Sequence, residues 1–184
     1  MKQILFVQGG GKGTHDSWDN KLVASLEHAL GPGHAITYPR MPNEAHPDPA
    51  AWKKAIARQF EKLRDPVILV GHSVGAAIVI YYLADGELAG RFAASFLIAT
   101  PFIGDGGWPS DGIRPTKQAA AELRGRDRAP LYLYQGGDDD TVPFSHLGLL
   151  AKALPHATVR LLPSRDHQLN DDLAEVARDI KRLE

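Results

Sequence analysis

The chain has no cysteine among its 184 residues. Disulfide bridges, thiolate zinc sites and cysteine nucleophiles are therefore excluded. An excess of charge of either sign is also missing. Lysine and arginine total 21, aspartate and glutamate 22, and the formal net charge is -1. Nothing draws such a surface to nucleic acid or to a membrane, and neither is expected as a partner. Long apolar runs are absent too. The N-terminal run Ile4-Leu5-Phe6-Val7 is stopped by Gln8 and three glycines, too short for a signal-peptide core or a membrane span. The location that fits these absences is the cytoplasm. No two of the histidines lie close together with metal-ligand spacing, so no metal site is expected.

What is present is an alternation of two periodicities. Apolar runs occur at Ile4 to Val7, Ala35 to Tyr38, Val67 to Val70, Ala93 to Ala99, Leu131 to Tyr134 and Thr158 to Leu162. Helical patterns lie between them. Trp18, Leu22, Val23, Leu26, Ala29 and Leu30 share a face, with Ser17 as the cap and Gly31-Pro32 as the stop. Asp48-Pro49 opens a second helix with Trp52, Ile56, Phe60 and Leu63 inward. A third, after Ser73, is apolar all round and is expected to be the most buried. A fourth runs from Pro143 to Leu154, and Asn170 opens the last. Repeated β/α units of this kind predict a three-layer α/β/α sandwich on a mostly parallel six-stranded sheet. No boundary, repeat or low-complexity stretch interrupts it, so one domain is expected over residues 1–184.

The densest signal is Gly71-His72-Ser73-Val74-Gly75, a G-x-S-x-G pattern between an apolar strand and an apolar helix. A serine on such a turn is pushed out above the sheet in a strained conformation. The blander alternative is a tight turn in which Ser73 caps the helix. Ligands of parallel sheets bind beyond the carboxyl ends of the strands. The first strand is followed there by Gln8 to His15, the fifth by Gln135 to Pro143, and the sixth by Pro163 to His167. A hydroxyl, a carboxylate cluster and an imidazole thus share one rim, in the order Ser, Asp, His. Asp138, Asp139 and Asp140 all compete for the acid, with Asp105 and Asp111 after the fourth strand as further candidates. The glycines from Gly9 to Gly13 resemble a phosphate loop, but Gly13 follows Lys12 where Ser or Thr is needed, and Thr14 breaks G-x-G-x-x-G.

These motifs resemble the α/β-hydrolase superfamily along nearly the whole chain. Gly71 to Gly75 is similar to its nucleophile elbow, and Gly136 to Pro143, G-x-x-D-x-x-V-P, to its acid motif. The short chain and the glycine loop followed by Trp18 resemble the small cap-less serine hydrolases related to retinoblastoma-binding-protein-type hydrolases. The resemblance implies a strand order 2-1-3-4-5-6, Asp139 as the acid with Asp138 second, and His167 as the base. Two departures stand out. Gln8 replaces the histidine of a His-Gly pair, and Asp166 replaces the glycine before the base.

The chemistry expected of these residues is acyl transfer. Ser73 needs a base, and His167 can take its proton and return it to the leaving group. Asp139 would fix the imidazole tautomer. The oxyanion needs two donors. One is the amide of Val74; the other comes from the first loop, Gly10 or alternatively Gly9. His15 is expected at the pocket mouth, His72 in a structural role beside the turn, and His146 and His156 on the surface. In the loop from Thr100 to Pro115, Phe102, Ile103, Trp108 and Ile113 either wall an apolar pocket or plug the end of the sheet. A small carboxylic ester, with thioesters or amides as variants, is the expected substrate, and this chemistry needs no cofactor. The rival is a non-catalytic binding module on the same fold.

Overall fold

The computed structural model describes residues 1–64, 66–124 and 129–183. Its strands are β1 Lys2–Val7, β2 His34–Thr37, β3 Val67–His72, β4 Phe92–Ile98, β5 Leu131–Gly136 and β6 Thr158–Leu162. They form one six-stranded sheet in the order β2-β1-β3-β4-β5-β6. Every neighbouring pair is parallel. The order reverses direction between β1 and β3, which leaves a crevice above their carboxyl ends.

The two faces of the sheet follow from the period of two along each strand. In β1, Leu5 and Val7 join one core, and Ile4 and Phe6 the other. In β3, Val67 and Leu69 face the first core, and Ile68 and Val70 the second. The helices α2 Pro49–Phe60, α3 Ser73–Asp85, α4 Thr116–Leu123 and α5 Ser145–Ala153 cover the first face. The helices α1 Asp19–Leu30 and α6 Ala174–Lys181 cover the second. As expected, α3 is buried almost throughout, and α2 starts at Pro49 with Asp48 Oδ1 accepting the Ala51 amide at 2.6 Å.

Several boundaries differ from the sequence reading. Ser17 does not cap α1. Residues Thr14–Trp18 form a short π-helix, α1 begins at Asp19, and Trp18 is 53% exposed rather than inward. The last helix begins at Ala174, because Asn170 sits at φ 56 in a 3-10 turn, Leu169–Asp171, ahead of it. The fourth predicted helix is shorter, Ser145–Ala153. Helix α4 had no sequence counterpart. Its buried residues Thr116, Ala119, Ala120 and Leu123 have helical spacing, but only the leucine is large and apolar. Between β4 and α4 there is a compact loop and no helical cap: the Gly104 amide bonds to the Trp108 carbonyl, and the Trp108 amide to that of Phe102, each at 2.8 Å.

Candidate active site

Ser73 opens α3 directly after β3. Its φ is 52°, a strained value for a residue with a side chain, held by packing on both sides. The second glycine of the motif explains itself by space. A Cβ on Gly75 would collide with the Gln8 carbonyl oxygen and lie 2.9 Å from that of Val7, so only glycine lets α3 start against β1. Val74 follows in the first helical turn, where backbone amides have no intrahelical acceptor.

The carboxylate cluster after β5 separates cleanly. Asp138 and Asp140 are exposed, and Asp139 is buried. Asp139 Oδ1 accepts the amides of Thr141 at 2.9 Å and Val142 at 2.8 Å. Its Oδ2 accepts Gln135 Nε2 at 2.7 Å and meets His167 Nδ1 at 2.9 Å. Burial acts to raise this carboxyl, but the bonds from His167 and the Val142 amide outweigh it and hold Asp139 below the ordinary carboxylate value. Asp105 and Asp111 are exposed loop residues. Gly136 has a spatial role here: a Cβ on it would collide with the carbonyls of Arg165 and Asp166, so its absence lets the His167 loop lie against β5. Asp166, in the place of a glycine, stiffens that loop. Its Oδ1 accepts the amides of Gln168 at 2.9 Å and Asn170 at 2.7 Å.

Ser73, Val74, His167, Gly9 and Gly10 line one open cleft of about 650 Å³. The rim adds Lys12, Asp138, Asp140 and Asp166. The loop after β1 is fastened from outside. Gln8 is fully buried; its Oε1 accepts the Met41 amide at 2.9 Å, and its Nε2 donates to Glu44 Oε2 at 2.7 Å. Glu44 also accepts the amides of Gly13 at 3.0 Å and His15 at 3.1 Å, and its carbonyl accepts the Gly11 amide at 2.6 Å. The Gly9 amide donates to Asp19 Oδ2 at 2.7 Å. Of the loop glycines Gly9, Gly10, Gly11 and Gly13, Gly10 is the one whose amide is not tied down in this way among the described residues.

An apolar pocket of about 620 Å³ adjoins the cleft across Val74 and Trp108, with Pro47, Ile103, Pro109 and Ile113 as walls. The two expectations for this loop therefore divide between residues. Ile103, Trp108 and Ile113 wall a pocket. Phe102 is 1% exposed and sits in the core, away from the cleft. His15 also departs from expectation. Its ring stacks on Tyr38 at 4.2 Å and its Nδ1 meets Asp16 Oδ1 at 2.8 Å, so it braces the loop from behind rather than lining the cleft. His146 is not a surface residue. It is 4% exposed, its Nδ1 accepts the Phe102 amide at 2.8 Å, and its ring meets Trp108 edge-on at 6.0 Å. Burial holds its imidazole below the ordinary value, consistent with an accepting nitrogen. His156 is exposed as expected.

The sequence reading missed Asp19 and Glu44. Both are isolated acidic residues whose partners come from distant loops, and neither stands in a motif. It gave His72 a structural role without a partner; that partner is Asp19, with Nδ1 2.9 Å from Oδ1. A separate concavity of about 820 Å³ lies at the amino ends of the strands, beside Lys2, Arg64 and Pro66, far from Ser73.

A model of the alpha/beta hydrolase family matches residues 4–181. A search of curated proteins found no match. Among solved structures, the chain is similar to the ydeN gene product of B. subtilis, with a TM-score of 0.75 and 19% identity over 100% of this chain and 98% of that one. It is similar to the esterase domain of a Rhodothermus marinus protein, with a TM-score of 0.68 and 20% identity over 98% and 85% of the two chains. XC6422 from Xanthomonas campestris, described as a serine hydrolase without lid, gives 0.67 and 18% over 98% and 79%.

Proposed function

This chain belongs to the alpha/beta hydrolase family, and on that premise we propose that it is a serine hydrolase that cleaves small carboxylic esters through an acyl-enzyme. The observation that carries the reading is the His167–Asp139 contact of 2.9 Å, made to a buried carboxylate, with His167 on the same cleft as Ser73. Asp139 engages Nδ1, which leaves Nε2 of His167 to take the proton as Ser73 Oγ attacks the acyl carbon. The amides of Val74 and Gly10 receive the oxyanion of the tetrahedral intermediate. The intermediate collapses, and His167 returns its proton to the departing alcohol. A water molecule, deprotonated by the same ring, then releases the acid and restores Ser73. Thioesters and small amides would follow the same steps.

The pocket beyond Val74 gives the acyl chain an apolar berth beside the oxyanion donors. The leaving group then lies in the polar lobe toward Lys12, Asp138 and Asp166. Labelling with a fluorophosphonate probe tests the central claim. Stoichiometric labelling at Ser73, lost in Ser73→Ala, is expected. A folded wild-type protein that stays unlabelled would overturn the claim and return the reading to a non-catalytic binding module.

A further inference from the structure

Beneath the cleft lies a second histidine–carboxylate pair that ester hydrolysis as described does not use. His72 ends β3, and Asp19 is the first residue of α1; their side chains are 1% and 0% exposed. His72 Nδ1 lies 2.9 Å from Asp19 Oδ1 and 3.1 Å from Oδ2. Its Nε2 lies 3.1 Å from the backbone carbonyl oxygen of His167. A carbonyl oxygen can only accept, and a neutral imidazole carries a single N–H. With the carboxylate ionised, both contacts are hydrogen bonds only if the ring holds two protons.

We propose that Asp19 and His72 are a buried aspartate–imidazolium pair that positions three loops of the site relative to one another. Asp19 Oδ2 accepts the Gly9 amide at 2.7 Å and so fixes the glycine loop beside Gly10. His72 adjoins Ser73 in the chain and fixes the elbow. The bond from its Nε2 fixes the backbone of His167, whose ring lies 4.8 Å from its own. One other arrangement fits the same atoms: a neutral carboxylic acid on Asp19 donating to Nδ1. Two features favour the charge on Asp19. Its Oδ2 already accepts an amide, and it stands in the first turn of α1, where the helix dipole favours a negative group. The other ionisable groups facing His72 are His167 and, further off, Asp139. Burial works against the imidazolium, but the Asp19 charge and hydrogen bond outweigh it; His72 is held above its ordinary value and Asp19 below its own.

These are positioning residues, and their effect on catalysis rests on the serine-hydrolase reading. Their protonation state does not. The first measurement is therefore nitrogen NMR of histidine-labelled protein at neutral pH, with the His72 signals assigned by their loss in His72→Asn. Two protonated ring nitrogens are expected, in wild type and in Ser73→Ala alike; a single protonated nitrogen would overturn the ion pair whatever the activity. Asp19→Asn keeps an oxygen for the Gly9 amide and removes the charge, so His72 should drop one ring proton. Retention of both would equally count against the pair.

The second measurement is ester kinetics with thermal unfolding as a fold check. The amide nitrogen of His72→Asn falls near the place of Nδ1 and abandons the His167 carbonyl. A drop of roughly 10-fold to 10²-fold in kcat is expected, since small misplacements of reacting groups cost this much. KM should stay within about twofold, because His72, though at the floor of the cleft, is only 1% exposed and offers substrate almost no surface. The longer amide of His72→Gln reaches the place of Nε2 and should recover a large part of the loss. Unchanged kcat in a folded Asn variant would end the positioning role. A Gln variant no better than the Asn variant would remove the His167 carbonyl from the account. If Ser73→Ala proves fully active, the hydrolase reading fails while the NMR result still stands by itself.

Discussion

Three aspartates stand side by side at 138 to 140, yet the backbone gives them different surroundings. Asp139 points inward to four hydrogen bonds, and its neighbours point to solvent. The sequence could rank them only through the spacing to Val142-Pro143. Asp139→Asn is expected to keep the fold and favour the wrong tautomer of His167, lowering kcat by up to ~10⁴-fold. Asp138→Asn and Asp140→Asn should cost little, because exposed loop charges contribute little. Steady-state kinetics on the three single variants decide this, and a severe loss at Asp138 with Asp139→Asn unharmed would move the acid by one position. Ser73→Ala should lower kcat by ~10³-fold or more, leaving only oxyanion and binding effects. His146 shows where such reasoning stops. It and His156 look alike in sequence, each a single histidine beside apolar residues. The difference is the Phe102 amide, supplied by a loop 44 residues away. His146→Ala should leave that buried N–H unpaired and cost about 1–3 kcal/mol of stability, read by denaturant unfolding, whereas His156→Ala should change nothing measurable.

The strands and the elbow were readable because their signals are dense and local. Val67 to Val70 followed by G-x-S-x-G admits few structures other than strand, turn and helix. Helix α4 was hidden because its inward face is made of threonine and alanines, which carry little hydrophobic signal. The start of α1 was misplaced because the chain first winds through the π-helix Thr14–Trp18, and Asp19 is drawn inward to His72 and the Gly9 amide. Local pattern gave way there to tertiary pairing. Close approach of elements makes a sharper prediction. Gly75→Ala would press a methyl group onto the Gln8 carbonyl, so α3 must shift away from β1. The cost should be at least ~1–3 kcal/mol, as for overpacked cores. Gly148 lies inside α5, and a methyl group there would meet nothing within 4 Å. Gly148→Ala should instead stabilise by about 0.5–1 kcal/mol, because alanine is the better helix former. Thermal unfolding of the two variants side by side tests the packing argument; equal effects would refute it.

Across the molecule, charge is buried in a few paired places, and these set how the fold responds to acid. The site holds two of them, Asp139 and Asp19. A third lies far from the cleft and joins three elements at the edge of the sheet. Asp179 on α6 accepts Tyr134 Oη from β5 at 2.8 Å and Arg160 Nε from β6 at 3.0 Å. Its side chain is 5% exposed. Burial acts to raise its carboxyl, but the bonds from Arg160 and Tyr134 prevail and hold it below the ordinary 3.8. A carboxyl whose folded value lies below its unfolded one binds fewer protons in the native state. Its contribution to stability is therefore complete above the unfolded value and is lost as pH falls through the folded one. Asp179→Asn removes that contribution at every pH. Wild type should melt well above the variant at pH 7, and the gap should hold down to about pH 5 and then close as the solution is taken below 3.8. Ester hydrolysis at pH 7, well below either melting temperature, should be the same in both proteins, because the network touches no wall of the cleft. A gap in melting temperature that stayed constant through the acid range would mean that the variant acts through packing alone, and the charge would then have no part in holding β6 and α6 to the sheet.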